Sequence, residues 1–354
     1  MKELLKITGI FALLLAVIPA LSFFVPQRTF AEDVSAESVR TEATTEFTET
    51  ERAETERAET SAEIAENEEN DTLKVLDFTS GQVLELSMRD YVIGAVLAEM
   101  PATYCEEALK AQAVAARTYA IRQREKQRLA PDPELMGADI SNDSRKFQAY
   151  FTPEQAKDFY GSGYEAYYKK AAGAVDGTDR LALFYEGEPI VAAFHSNSGG
   201  MTESAEVVWG SPVDYLVPVE SPEDKNSPTY LEEEVFTEKE FRKKLEKALP
   251  DADFSDPAGE WIEITETSSS GTVTEMLAGG EKLSGTDFRS IFSLRSANFT
   301  VVYNADEENF YITTKGYGHG VGLSQYGANA MGENGSDFRE ILLHYYTGAE
   351  IKEY

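Results

Sequence analysis

Apolar and polar residues alternate in Leu73-Lys-Val-Leu-Asp-Phe and again in Gln82-Val-Leu-Glu-Leu, and the Ser80-Gly81 pair between them predicts a two-strand hairpin. From Tyr91 to Leu97 the pattern becomes almost wholly apolar, which predicts a buried helix. Ser87 with Asp90 three residues on resembles a capping box at its start, and Pro101 forces Met100 out of the helical region and ends it. Glu106 and Glu107 suit the first turn of a second helix, whose run from Ala108 to Ile121 is built on alanine and so packs closely. Farther on, Leu181 to Tyr185 and Ile190 to Phe194 read as strands around a turn at Gly187, and Glu238 to Leu249 as an amphipathic helix. Phe299 to Tyr303 and Phe310 to Thr314 read as a strand pair. No repeat emerges, so the fold class is α+β rather than doubly wound or a solenoid.

The N-terminal pattern is of another kind. Ile7 to Val25 carries no charge over 19 residues, about the length that crosses a hydrocarbon core of roughly 30 Å. The small residues of a signal-peptidase site do not follow it; Phe23, Phe24, Val25, Pro26 and Gln27 do, which favours an uncleaved anchor over a cleaved signal. Pro19 is tolerable in such a helix. Lys2 and Lys6 place the N-terminal side in the cytoplasm, with Arg28 a weak counter-signal. Glu32 to Thr72 is Glu, Thr, Ala and Ser, with the repeat Glu51-Arg-Ala-Glu-Thr and Glu56-Arg-Ala-Glu-Thr. It has too little apolar surface to offset its ordering entropy and reads as a self-repelling tether, with a single frayed helix as the alternative. The expected organisation is a cytoplasmic stub and membrane anchor at 1–26, an acidic disordered linker at 27–72 and one mixed α+β domain at 73–354, in which 226–297 is a candidate inserted subdomain.

Composition narrows the function. The net charge is -31, from 32 basic and 63 acidic residues, and such a surface repels phosphate backbones, so no nucleic-acid partner is expected. With 42% hydrophobic residues the chain can bury a large core, and its one cysteine, Cys105, cannot form an internal disulfide.

Four clusters could carry chemistry. Glu99 is an acid at the end of an apolar helix, where burial and the negative end of the helix dipole both favour the protonated form that a general acid needs. A salt bridge to Arg117 is the structural alternative. Gln112 and Arg117 interrupt the alanine-rich helix on adjoining faces, toward a cleft or toward solvent. Phe194-His-Ser-Asn-Ser-Gly-Gly ends an apolar stretch in a small polar loop suited to sugar hydroxyls. His195 with Ser196 or Ser198 as a hydrolase pair lacks the Gly-x-Ser-x-Gly elbow. Lys315-Gly-Tyr-Gly-His-Gly-Val-Gly-Leu-Ser-Gln-Tyr-Gly-Ala carries alternate glycines that would bare one face of an extended segment to another backbone or a long ligand. It has no phosphate-loop spacing. His195, His319 and His344 raise a zinc site as a rival, although none of them has helical ligand spacing.

Taken together, Tyr91-Val-Ile-Gly-Ala-Val-Leu-Ala-Glu-Met-Pro, Glu107-Ala-Leu-Lys-Ala-Gln-Ala-Val-Ala-Ala-Arg-Thr-Tyr, His195-Ser-Asn-Ser-Gly-Gly and Gly316-Tyr-Gly-His-Gly-Val-Gly-Leu-Ser-Gln-Tyr-Gly-Ala resemble the stage II sporulation protein D family over roughly 73–354. The resemblance implies a membrane-anchored lytic transglycosylase that cuts peptidoglycan glycan strands stripped of stem peptides, between mother cell and forespore during engulfment. It implies Glu99 as the catalytic acid, no cofactor, and stage II sporulation proteins P and M as partners. Gln112, Arg117, His195, Ser196, Ser198, His319 and Gln325 would position the glycan. Some relatives carry zinc ligands where this chain has Asp139 to Tyr150, which holds neither cysteine nor histidine, so no metal is expected there. A glycan-binding module without catalysis and a metal-dependent wall hydrolase are the rival readings.

Overall fold

The computed structural model describes residues 71–354. The expected anchor and the linker up to Asn70 lie outside the described residues, and among the described residues no helix is long and apolar enough to cross a membrane. The domain is mixed α+β. Strands Thr72–Asp77 and Gln82–Ser87 form the expected hairpin, joined by Ile140–Ser141 running parallel to the first. The first helix, Met88–Glu99, starts at Ser87, whose Oγ accepts the Asp90 N–H at 3.0 Å, and stops at Met100, which is extended at φ -122° and ψ 138° before Pro101. The long helix, Glu106–Leu129, continues well past Ile121. These two helices and Tyr164–Asp176 pack on one another, with alanines at the contact faces of the long helix, and form the main core.

A second core holds Phe241, Trp261, Phe288, Phe292 and Phe310, with the Phe241 and Phe310 rings stacked at 3.8 Å. Its helix Glu238–Ala248 is fixed by a capping box between Thr237 and Glu240. This core takes in more than 226–297. The sheet Phe299–Asn304, Asn309–Lys315, Leu231–Thr237 supplies Phe299, Phe310 and Ile312 to it.

Two local expectations fail for identifiable reasons. Ile190 to Phe194 is not one strand. Glu188–Pro189 pairs with Leu181–Tyr185, the Ile190 N–H still reaches Leu183 O at 3.1 Å, and then the ladder stops. Phe194–His195 pairs instead, in parallel, with Leu323–Ser324. Pro189 carries no N–H and marks an edge, so it cannot continue a central ladder. Nor is the glycine run an extended segment. Gly318 and Gly322 sit at φ +118° and +73°, a region that side chains rarely adopt. A Cβ at Gly318 would stand 2.7 Å from His195 Cβ, and one at Gly322 would overlap Ala193 O. The bare face is therefore filled by the chain from Ala193 to Ser198, and the two clusters form one seam.

Candidate active site

Glu99 lies 3% exposed at the end of the first helix. The segment Gln148–Phe151, without regular structure, is laid along that helix and covers it. Gln148 Nε2 donates to Tyr91 Oη at 2.8 Å and to Ala116 O at 3.2 Å, Ala149 N–H donates to Glu99 Oε1, the Tyr150 ring stacks on Tyr91 at 5.2 Å, and Phe151 N–H donates to Gly94 O at 3.2 Å. Burial pushes the Glu99 carboxyl from its ordinary 4.5 up to about 8, against the opposing pull of the Ala149 N–H. Among the described residues no carboxylate contributes to that shift.

Arg117 does not pair with Glu99. Its guanidinium donates to Thr178 O at 2.6 Å, Leu181 O at 3.0 Å and Val175 O at 3.4 Å, closing the C-terminal end of the Tyr164–Asp176 helix, whose last carbonyls have no partner within the helix. Arg117 is thus taken up by backbone carbonyls. Gln112 does reach the site. Gln325, the first residue of the late helix Gln325–Glu333, donates through Nε2 to Glu99 O at 3.0 Å and to Gln112 Oε1 at 3.2 Å, so one side chain satisfies an orphan carbonyl at the end of the first helix and holds Gln112 beside it.

The seam joins the histidines to this group. His195 pairs with Ser324, next to Gln325, and the Tyr326 N–H donates to Ser196 O at 3.0 Å. His195 Nδ1 faces Val321 O at 3.2 Å, and its ring lies 5.8 Å from that of His319, which in turn sits 5.6 Å from Trp209. Burial lowers His195 to about 4, and burial with the charges of His195 and Arg289 holds His319 well below its ordinary value, so both rings are neutral near pH 7. Ser198 Oγ donates to Asp224 Oδ2 at 2.6 Å rather than to a histidine, which leaves the serine-hydrolase pairing without its hydrogen bond. His344 is elsewhere, with Nε2 against Glu220 O at 2.8 Å. Among the described residues no three His, Cys, Asp or Glu side chains gather as metal ligands.

Several buried polar atoms around the site carry no hydrogen bond, namely Gln112 Nε2, Gln148 Oε1, His195 Nε2 and Asn197 Oδ1. Unpaired buried polar groups are costly, and their concentration here suits a site that binds a polar ligand. A cleft of mixed polar and apolar lining, partly open to solvent, lies between the seam and the second core, with His319 among its lining residues.

Sequence reasoning missed the residue that ties these pieces together. Asp224 is fully buried and accepts Ser198 N–H at 2.7 Å, Ser198 Oγ, and Ser324 Oγ at 2.7 Å. Burial raises its pKa, and the three donors oppose that rise. Its setting, Ser221-Pro-Glu-Asp-Lys, looks like a surface turn and gave no signal. The cover over Glu99 also lacks periodicity, and only its apolar Phe147 to Phe151 composition marks it.

A family model described as Stage II sporulation protein matches residues 77–185. The chain is 40% identical over 292 residues to stage II sporulation protein D of Bacillus amyloliquefaciens, covering 82% of each chain. It is 40% identical over 276 residues to the protein of the same name in Bacillus subtilis strain 168, covering 78% of this chain and 77% of that one. Similarity to the amidase enhancer of Bacillus subtilis is lower, 28% over 316 residues, with 40% of that protein covered.

Proposed function

The chain belongs to the stage II sporulation protein D family, and on that premise we propose that it is a lytic transglycosylase acting on peptidoglycan glycan strands freed of stem peptides. The observation that carries this reading is the single buried carboxyl of Glu99, raised by burial to about 8, with no second carboxylate acting on it among the described residues. Most glycosidases need two, because one must activate water or attack the sugar. A transglycosylase manages with one. Glu99 gives its proton to the glycosidic oxygen, and the bond from that oxygen to C1 breaks. The C6 hydroxyl of the same sugar then attacks C1 while the Glu99 carboxylate takes the hydroxyl proton. Glu99 returns to its starting state, water is not consumed, and the new end is a 1,6-anhydro sugar. The attacking hydroxyl is already tethered to the reacting centre, which does part of the work of a second carboxylate.

In this reading Gln325 and Gln112 fix the end of the first helix and so the position of Glu99. The neutral rings of His195 and His319, with Ser196 and Ser198, line the path of the glycan, and the sugar reaches Glu99 once Gln148–Phe151 is displaced. The proposal extends to an extracytoplasmic domain held by the apolar segment at Ile7–Val25, working during engulfment with stage II sporulation proteins P and M. The sequence resemblance and the charge pattern beside that segment support these points.

Incubating the protein with peptide-free and with intact strands should release fragments ending in anhydro sugars from the peptide-free strands, read by mass spectrometry. Reducing ends in place of anhydro ends would overturn the reaction type. The rate has a predicted pH dependence as well. Glu99 must start protonated, and its folded value lies near 8, so cleavage should hold through neutrality and fall as pH rises through about 8. A loss beginning in the ordinary carboxylate range would show that Glu99 is not the proton donor.

A further inference from the structure

The side of the second core contributes two cationic side chains to the cleft beside His319, the exposed Lys315 and the more enclosed Arg289. Arg289, on the helix Gly285–Phe292, lines it together with Asn298, Lys315 and His319. Its Nε donates to Leu294 O at 3.1 Å, which fixes the plane of the guanidinium. The two terminal nitrogens make no hydrogen bond or ion pair among the described residues. Glu203 also lines the cleft but is engaged by other donors, with Oε1 on the Ser204 N–H at 2.9 Å and Oε2 on the Ser268 hydroxyl. Burial lowers the pKa of Arg289, as expected of a cation desolvated without its counter-ion. In a chain of net charge -31, an unpaired guanidinium held in a cleft is out of keeping with its surroundings.

A guanidinium with two free nitrogens matches the two oxygens of a carboxylate. Resting on the function proposed above, we propose that Arg289 binds the lactyl carboxylate of a muramoyl residue in the glycan strand. In an intact strand that carboxyl is consumed in the amide bond to the stem peptide, so it is neutral and blocked. Once the peptide has been removed it is free and anionic. The subsite therefore reads whether the peptide has gone, and the second core serves to choose the substrate. The cleft is tied to the Glu99 site through the seam, since its His319 ring lies 5.8 Å from that of His195, which pairs with Ser324, and the next residue, Gln325, donates to Glu99 O.

Binding of short fragments, below the length that can be cut, tests this without relying on cleavage. The full-length protein in detergent is titrated calorimetrically with a muramic-acid disaccharide, its lactyl amide, a disaccharide of N-acetylglucosamine, a muramoyl peptide carrying its own terminal carboxylate, and inorganic phosphate. The free acid should bind about tenfold or more tightly than the amide. Arg289→Gln should abolish that preference, and Arg289→Lys should keep part of it. Equal binding of acid and amide by the unaltered protein would overturn the proposal, whatever the variants do. So would an Arg289→Gln protein that keeps the preference, a peptide carboxylate that binds as well as the lactyl one, or phosphate that competes as effectively as the acid. A failure to find anhydro ends would leave these binding outcomes readable on their own.

Discussion

Glu99→Gln is expected to lower strand cleavage by roughly 10²–10⁴-fold, the usual worth of a positioned proton donor, while making the domain more stable. Glutamine is close in shape and still offers an oxygen to the Ala149 N–H, but it can neither give nor take the proton. The stability effect follows from linkage. Folding raises the carboxyl from 4.5 to about 8, so between those values the folded chain holds a proton that the unfolded chain has lost, and stability falls as pH rises through that window. At about pH 7 the penalty is on the order of 3 kcal/mol, and glutamine does not incur it. Melting curves of both proteins should therefore converge in acid and separate toward neutral pH, with the variant the higher. A variant that melts lower at neutral pH would refute the account of burial. Sedimentation with purified wall should stay intact, whereas loss of binding together with cleavage would favour a structural role for Glu99.

Gly94→Ala should destabilise the domain even though it lies in a helix. Alanine is favoured over glycine there by about 1 kcal/mol. Against this, the new Cβ would stand 2.5 Å from Phe151 O and overlap the Tyr150 ring. Overpacking of that kind costs typically 1–3 kcal/mol, and neither neighbour can yield easily, because Phe151 N–H is bonded to Gly94 O and Tyr150 is stacked on Tyr91. The net loss should be up to about 2 kcal/mol, a drop of a few degrees in melting temperature. The strain falls on the cover over Glu99, so the Ala149 amide should exchange with solvent faster than in the parent. An unchanged melting point and unchanged Ala149 exchange would mean that the cover is not seated on Gly94.

What was legible in the sequence was local. The hairpin at Ser80-Gly81, the Ser87 cap, the stop at Pro101 and the amphipathic helix from Glu238 are each set by neighbours within a few positions, and each is found where the pattern placed it. Glu99 stood out for the same reason, as an acid on an apolar face. The remainder depends on pairings that no local pattern encodes. Phe194–His195 leaves the expected strand to pair with Leu323–Ser324, Arg117 turns to carbonyls at and just beyond the end of a helix some sixty positions away, and Asp224 gathers donors from two distant segments. The glycines at 316 to 322 gave a true signal of close approach. Their positive φ, and the fact that backbone takes the space, follow only from the partner chain of the seam.

That seam also fixes when the site can exist during folding. Gln325 lies 226 positions after Glu99, and His195 meets its strand partner only in the last tenth of the chain. Contacts of such sequence separation form late, because the loop they close must first lose its entropy. The first two helices can pack early from local contacts, but the Glu99 site must wait for the helix Gln325–Glu333 to dock. On the function proposed above, activity toward the wall would appear only once almost all of the chain has folded. In refolding experiments, cleavage should return with the slowest tertiary signal, and cleavage returning before it would contradict this order.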